Sequence, residues 1–134
     1  MGPVVFIDTS AFVAILAKEE EWRELADAIA GAGRRITSPI VRLEASIALA
    51  SRLAISPSLA ERLFDAFLEE AVIEEAPIDA SIGAMAVACF EAFGQGRHDA
   101  RLNFADCLSY AYAKASGARL LFKGDDFAKT DVNG

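Results

Sequence analysis

The 134-residue chain has one histidine and two cysteines. A single imidazole, His98, cannot build a histidine-rich zinc centre, and the spacing of Cys89 and Cys107 does not fit a zinc ligand set. Both cysteines fall in helical apolar patterns, as expected of reduced core thiols in a cytoplasmic protein. Neither Thr9 nor Ser10 has a histidine nearby in sequence, which argues against acyl-transfer chemistry. The glycines at Gly94 and Gly96 are not followed by the Lys-Ser/Thr of a phosphate-cradling loop. No stretch reaches the roughly 18 uncharged apolar residues of a membrane span. The start of the chain lacks the basic region of a signal peptide, and Phe6 stands where myristoylation requires Ser or Thr. Basic residues are also scarce, 13 against 20 acids for a net charge of −7. That balance argues against holding nucleic acid by diffuse electrostatics. It leaves room for an enzyme whose acids are offset locally by a cation, and it suits a basic or apolar protein partner.

Hydrophobic residues make up 54% of the chain, enough for one domain, residues 1–134, with a real core. Short apolar runs predict strands at Val4–Ile7, Arg35–Thr37, Val72–Glu75 and Arg119–Lys123. Helical spacing fills the intervals: Ser10–Ala17, Trp22–Ala30, a long helix from Ser38-Pro39 to about Leu53, Ser58–Ala71, Ala80–Phe93 and Phe104–Ser116. Ser before Pro opens two of them, Asp79 and Asn103 cap two more, and Gly31, Gly94 and Gly117 stop three. Strands alternating with helices predict an α/β fold, a parallel sheet with helices on both faces. Four strands are visible, and a fifth has room after Thr130.

The acids are placed unusually. Val4-Val5-Phe6-Ile7 stops at Asp8, at the carboxyl end of a buried strand, the edge where ligands bind in open α/β sheets. Asp8 could simply cap the next helix, but Ser10 could do that instead and leave Asp8 free. Glu44 has Val41 and Ala48 at i−3 and i+4, and an acid on the apolar side of a helix is costly unless paired or metal-bound. Neither Arg42 nor Arg52 shares its face. Asp106 lies in the first turn of a helix that is otherwise almost uncharged, although the helix dipole alone favours an acid there. Asp125 or Asp126 follows the last strand. Carboxylates that converge repel one another unless a divalent cation binds, and carboxylate with water is the ligand set of Mg²⁺ or Mn²⁺. In a basic loop, Arg97 and His98 are weak candidates for substrate contact. Lys123 stands at a strand end where it can meet phosphate or solvent, and Glu19-Glu20-Glu21 reads as a solvated turn.

Three blocks carry a resemblance: FIDTSAFVAIL at the start, SPIVRLEASIALASR in the middle, and GQGRHDARLNFADCLSYAYAKASGARLLFKGDDFAKTDV at the end. Over essentially its whole length the chain resembles the PIN-domain ribonucleases, specifically the VapC toxins of bacterial toxin–antitoxin pairs. The resemblance implies a PIN-like three-layer fold of about four to five parallel strands. It also implies endonucleolytic RNA cleavage with Mg²⁺ or Mn²⁺, a homodimer, and neutralisation by a cognate antitoxin. Asp8 and Asp106 match the principal metal-ligand acids, Glu44 the acid of the middle helix, and Ser10 the hydroxyl supporting the first Asp. Phe127, packing back into the core, would anchor Asp126 as the fourth acid, with Asp125 in a lesser, supporting place.

Other users of an Asp at the end of the first strand fit less well. Phosphoaspartate phosphatases want a second Asp two residues on, where this chain has Ser10. Receiver domains want a phospho-acceptor Asp after a central strand, which Glu75-Ala76-Pro77 does not supply. A catalytically weak PIN-fold binding module, acting through protein or RNA contacts, is the serious alternative, and the four acids speak against it.

Overall fold

The computed structural model describes residues 2–133. In chain order the elements are β1 (Val4–Ile7), α1 (Thr9–Leu16), α2 (Trp22–Ala30), β2 (Arg34–Thr37), α3 (Pro39–Leu53) and α4 (Pro57–Glu70). They are followed by β3 (Glu74–Glu75), α5 (Ala80–Phe93), α6 (Phe104–Ser116) and β4 (Arg119–Leu121). The strands form one parallel sheet of order β3-β2-β1-β4, covered by helices on both faces. Among the described residues no helix is long and apolar enough to cross a membrane.

The local reasons are those of the sequence. Ser38 and Ser56 accept from the main-chain N–H groups of Val41 and Leu59, each with proline in the first turn, so at each start one orphan amide is satisfied and the proline removes another. Gly117 closes α6 in the left-handed region at φ 61°, where a side chain would cost energy. β1 is buried at Val5, Phe6 and Ile7, as expected of a central parallel strand. Phe6 stacks on Tyr112 at 5.1 Å between centroids, and Phe12 meets Phe64 at 4.7 Å.

Two strands are shorter than the apolar runs suggest. Val72 closes α4 in the left-handed region at φ 54°, so β3 begins only at Glu74. Beyond Leu121 the Lys123 main-chain N–H turns to Ser10 Oγ at 2.9 Å rather than to a strand. No fifth strand forms after Thr130 among the described residues. Instead the Asn133 side-chain amide meets the free edge of β4, its Oδ1 accepting from Leu120 N–H at 2.7 Å and its Nδ2 donating to Leu120 C=O at 2.8 Å.

The sheet order determines where a site can form. β1 is flanked by β2 on one side and β4 on the other, so the chain winds outward from β1 through β2 to β3 and then crosses back to β4 on the far side of β1. The crevice at the carboxyl end of β1 is therefore the topological switch point, where ligands bind in such sheets. Asp8 N–H still donates to Leu121 C=O at 3.0 Å, fixing this residue at the crevice floor.

Candidate active site

The crevice is a cleft of about 400 Å³ whose lining includes Asp8, Glu44, Asp106 and Asp126. They come from four separate parts of the chain: the end of β1, the middle of α3, the first turn of α6 and the turn after β4.

Of the two candidate caps, Asp8 and not Ser10 caps α1. The helix starts one residue earlier than expected, at Thr9, because the strand runs straight into it. Capping does not remove Asp8 from the cleft. Its Oδ2 accepts from Ser10 N–H at 3.2 Å and Ser10 Oγ at 2.9 Å, and its Oδ1 accepts from Ser109 Oγ at 2.8 Å. Ser10 is thus a clasp: its hydroxyl donates to Asp8 and accepts from Lys123 N–H. Asp8 is 5% exposed. Burial pushes its pKa up, and the Ser109 and Ser10 hydrogen bonds oppose that rise.

Glu44 is half-buried. Thr9 Oγ1 donates to its Oε1 at 2.5 Å. Neither nearby arginine is a partner: Arg42 is taken by Glu75, Glu61 and Asp65, and Arg52 by Glu19. Desolvation raises the Glu44 pKa; the Thr9 bond lowers it, and the charges of Asp8 and Asp126 raise it further. Asp106 completes a capping box, its main-chain N–H donating to Asn103 Oδ1 at 2.8 Å while its Oδ2 accepts from Asn103 N–H at 3.1 Å. It is 9% exposed, and burial pushes its pKa up to about 7. The Asn103 bond opposes that rise, while Asp8, Asp126 and Glu44 add to it.

Of the two acids after β4, Asp126 lines the cleft and Asp125 does not. Phe127 is buried, its ring against Phe122 at 5.0 Å. The C=O of Asp125 accepts from Ala128 N–H within the turn.

Arg97 and His98 are not brought to the cleft. Their loop closes on its own helix: Gly94 pairs with Leu102, Arg97 Nε donates to Glu91 C=O, and the His98 ring lies edge-on to Phe93. Glu19 is also misread by sequence. Glu20 and Glu21 are exposed, but Glu19 turns inward, pairs with both Arg52 and Lys123, and lines the cleft. Thr9 and Ser109, the hydroxyls that orient Glu44 and Asp8, were not anticipated.

A larger groove of about 670 Å³ lies at the opposite edge of the sheet, between the start of β2 and the turn before β3. Its two arginines are already engaged, Arg34 with Glu74 and Arg35 with the carbonyls of Ala71, Ala30 and Ala32.

Chemically the cleft offers hard carboxylate oxygens and hydroxyls, with no thiol or imidazole among its lining. Among the described residues no three His, Cys, Asp or Glu side chains converge closely enough to hold a metal ion by themselves. A cation that keeps several waters and takes only one or two carboxylates directly is compatible with that spacing. The elevated pKa values of Asp8, Glu44 and Asp106 mark acids that a positive charge would favour.

The PIN-domain family model matches residues 5–133. A Ribonuclease VapC of Mycolicibacterium smegmatis is 41% identical over 126 residues, covering 94% of this chain and 95% of that protein. Ribonuclease VapC28 of Mycobacterium tuberculosis is 40% identical over 129 residues, with 96% and 95% covered. In three dimensions the chain is similar to the crystal structure of Mycobacterium tuberculosis VapC20, a toxin that cleaves the sarcin–ricin loop. That likeness has a TM-score of 0.75 at 21% identity, covering 96% of this chain and 95% of that one, and it bears on the fold. The chain belongs to the PIN-domain family. Within that family it is closely related to the VapC ribonucleases, a kinship that supports an endoribonuclease toxin of this general type. Membership implies the metal-dependent catalysis typical of the family.

Proposed function

We propose that the chain is an endoribonuclease toxin that hydrolyses RNA phosphodiester bonds with Mg²⁺ or Mn²⁺. Asp8 and Asp106 are the metal ligands in this reading, with Glu44 and Asp126 completing the acidic site. The observation that carries it is the meeting of buried Asp8 and Asp106 with Glu44 and Asp126 in one cleft at the switch point of the sheet.

When bound, the cation supplies a water of lowered pKa and a positive charge against the scissile phosphate. The protein's part is orientation. Ser109 and Ser10 hold both oxygens of Asp8 at the cleft floor. Thr9 fixes one oxygen of Glu44, so the other is free to accept a proton from water. Asp126, exposed at the cleft rim, acts through an outer-shell water.

An RNA substrate, a cognate antitoxin presenting Arg or Lys to these acids, and a homodimer belong to the same reading. So does a cytoplasmic location, where the free buried thiols of Cys89 and Cys107 stay reduced. The net charge of −7 favours a basic antitoxin segment. Exposed Leu43 and Ile47 on α3 and Val87 and Phe104 on α5 and α6 offer apolar surface for association. Light scattering at tens of micromolar tests the dimer; a monomer there removes it.

The decisive experiment is expression of the chain alone, followed by sequencing of the 5′ ends of the RNA fragments. Discrete new ends that vanish with Asp8→Asn support the reading. An unaltered fragment profile, with Mn²⁺ leaving RNA intact in vitro, would leave the non-catalytic binding module in its place.

A further inference from the structure

The cleft that is to receive a polyanion is lined by five acids: Asp8, Glu19, Glu44, Asp106 and Asp126. Arg52 and Lys123 are the only cations among its described lining residues. They arrive from different elements, Arg52 from the last turn of α3 and Lys123 from just beyond β4. They meet on one carboxylate. Glu19 Oε1 takes Lys123 Nζ at 3.2 Å, and Glu19 Oε2 takes an Arg52 guanidinium nitrogen.

Glu19 is built into that position. The chain reverses at Lys18, in the left-handed region at φ 55°, and Glu19 N–H donates back to Ala14 C=O at 2.8 Å. Its side chain is only 17% exposed, against 58% for Arg52 and 31% for Lys123. The carboxylate is therefore the most enclosed of the three, and both cationic side chains keep part of their surface open to solvent. Without it, two like charges on one wall would repel and spread. With it, both are held and the trio keeps one net positive charge.

Resting on the ribonuclease reading above, we infer that Arg52 and Lys123 form a clamp for an RNA phosphate beside the scissile one. Glu19 is its positioning residue. A guanidinium with free N–H groups pairs with phosphate in a planar, two-point geometry, and an ammonium adds a point charge. The clamp is also tied to the acids. The Lys123 main-chain N–H donates to Ser10 Oγ, the hydroxyl that donates to Asp8. A phosphate held there has a fixed distance to Asp8, which is what setting the register of cleavage requires.

The test is the salt dependence of binding to a short fluorescent single-stranded RNA of mixed sequence, in EDTA so that nothing is cut. For single strands each neutralised phosphate contributes about 0.7 to the slope of log K against log salt. Arg52→Met and Lys123→Met should each flatten the slope by about 0.7, and Arg52→Lys and Lys123→Arg should restore it. Circular dichroism verifies folding, and Lys123→Gln serves if the Met variant is unstable. Glu19→Gln, which adds positive charge, should bind as tightly as wild type or tighter yet cleave total RNA in Mn²⁺ with lower kcat. A merely structural salt bridge would not produce that split. Slopes unchanged in both cation variants, or no RNA binding at low salt, overturn the clamp. Wild-type kcat in Glu19→Gln overturns the positioning role. Slopes that fall as expected while wild type leaves RNA intact overturn the ribonuclease reading and keep the clamp. Cleavage with unchanged slopes does the reverse.

Discussion

Ser109 Oγ donates to Asp8 Oδ1 at 2.8 Å across 101 residues of chain. Ser109 is one turn along α6 from Asp106, so the same helix face that presents one acid also orients the other. Ser109→Ala leaves a buried carboxylate oxygen without its donor. Outer partners of metal-binding groups typically govern about 10–100-fold of affinity or rate. The expected outcome is a loss of that size in single-turnover cleavage and in Mn²⁺ affinity. The unpaired oxygen should also cost about 1–3 kcal/mol of stability by urea titration. A variant that cleaves at the wild-type rate would make the Ser109–Asp8 bond a packing detail.

Asp8→Asn and Asp106→Asn should each remove cleavage, by more than the roughly 100-fold of an outer partner, while far-ultraviolet circular dichroism is preserved. Asp106→Asn should also leave the metal-free protein as stable as wild type or more so. It removes a charge from a site where Asp8, Glu44 and Asp126 already repel it. Near wild-type cleavage by either variant would refute the assignment of the metal ligands.

The pH dependence follows from Asp106. Its pKa rises from the ordinary 3.8 to about 7 in the folded chain. A raised carboxylate favours folding in its protonated form, so the stability it contributes is complete below the unfolded value. That contribution is lost as pH rises from about 4 through about 7. The metal-free melting temperature should therefore carry a component that falls over this window and disappears in Asp106→Asn. A bound cation displaces the proton, so Mn²⁺ should raise the melting temperature more above pH 7 than below it. Chelation should not unfold the chain, since its apolar core stands without metal. An identical Mn²⁺ effect on both sides of neutrality would contradict the linkage.

Among the acids after β4 the expected order is graded. Asp126→Asn should slow single-turnover cleavage at saturating Mn²⁺ less than Asp8→Asn does, and Asp125→Asn should slow it least. The basis is placement: Asp126 lines the cleft and Asp125 does not. Loss of activity in Asp125→Asn with Asp126→Asn unaffected would reverse the assignment.

The elements were legible because caps and breakers sit where the helices begin and end: Ser38-Pro39, Ser56-Pro57, Asp79, Asn103 and Gly117. Asp8, Glu44 and Asp106 were legible because an acid on an apolar strand end or helix face has few cheap explanations. The supporting hydroxyls were not. Thr9 and Ser109 act across 35 and 101 residues of separation, and hydroxyls are ordinary in helices. The one available signal was that Ser109 lies three residues after Asp106 and hence on its face. Glu19 was hidden in a run of three acids, two of which are solvated as such runs usually are. Arg97 and His98 lie away from the cleft lining, since a basic loop beside a candidate helix start says nothing about the direction in which it folds.

The amide of Asn133, seated on Leu120, has a consequence for how copies of this molecule can meet. An uncovered sheet edge is a template onto which another chain can hydrogen-bond, and proteins blunt such edges to avoid stacking. Here the outer rim of β4 is plugged by a side chain imitating a backbone, and the opposite rim, β3, is only two residues long. The sheet thus presents no template of useful length on either flank. Any association is thereby turned toward helix and loop surfaces and side-chain packing, which can be specific to a partner in a way that bare main-chain pairing cannot.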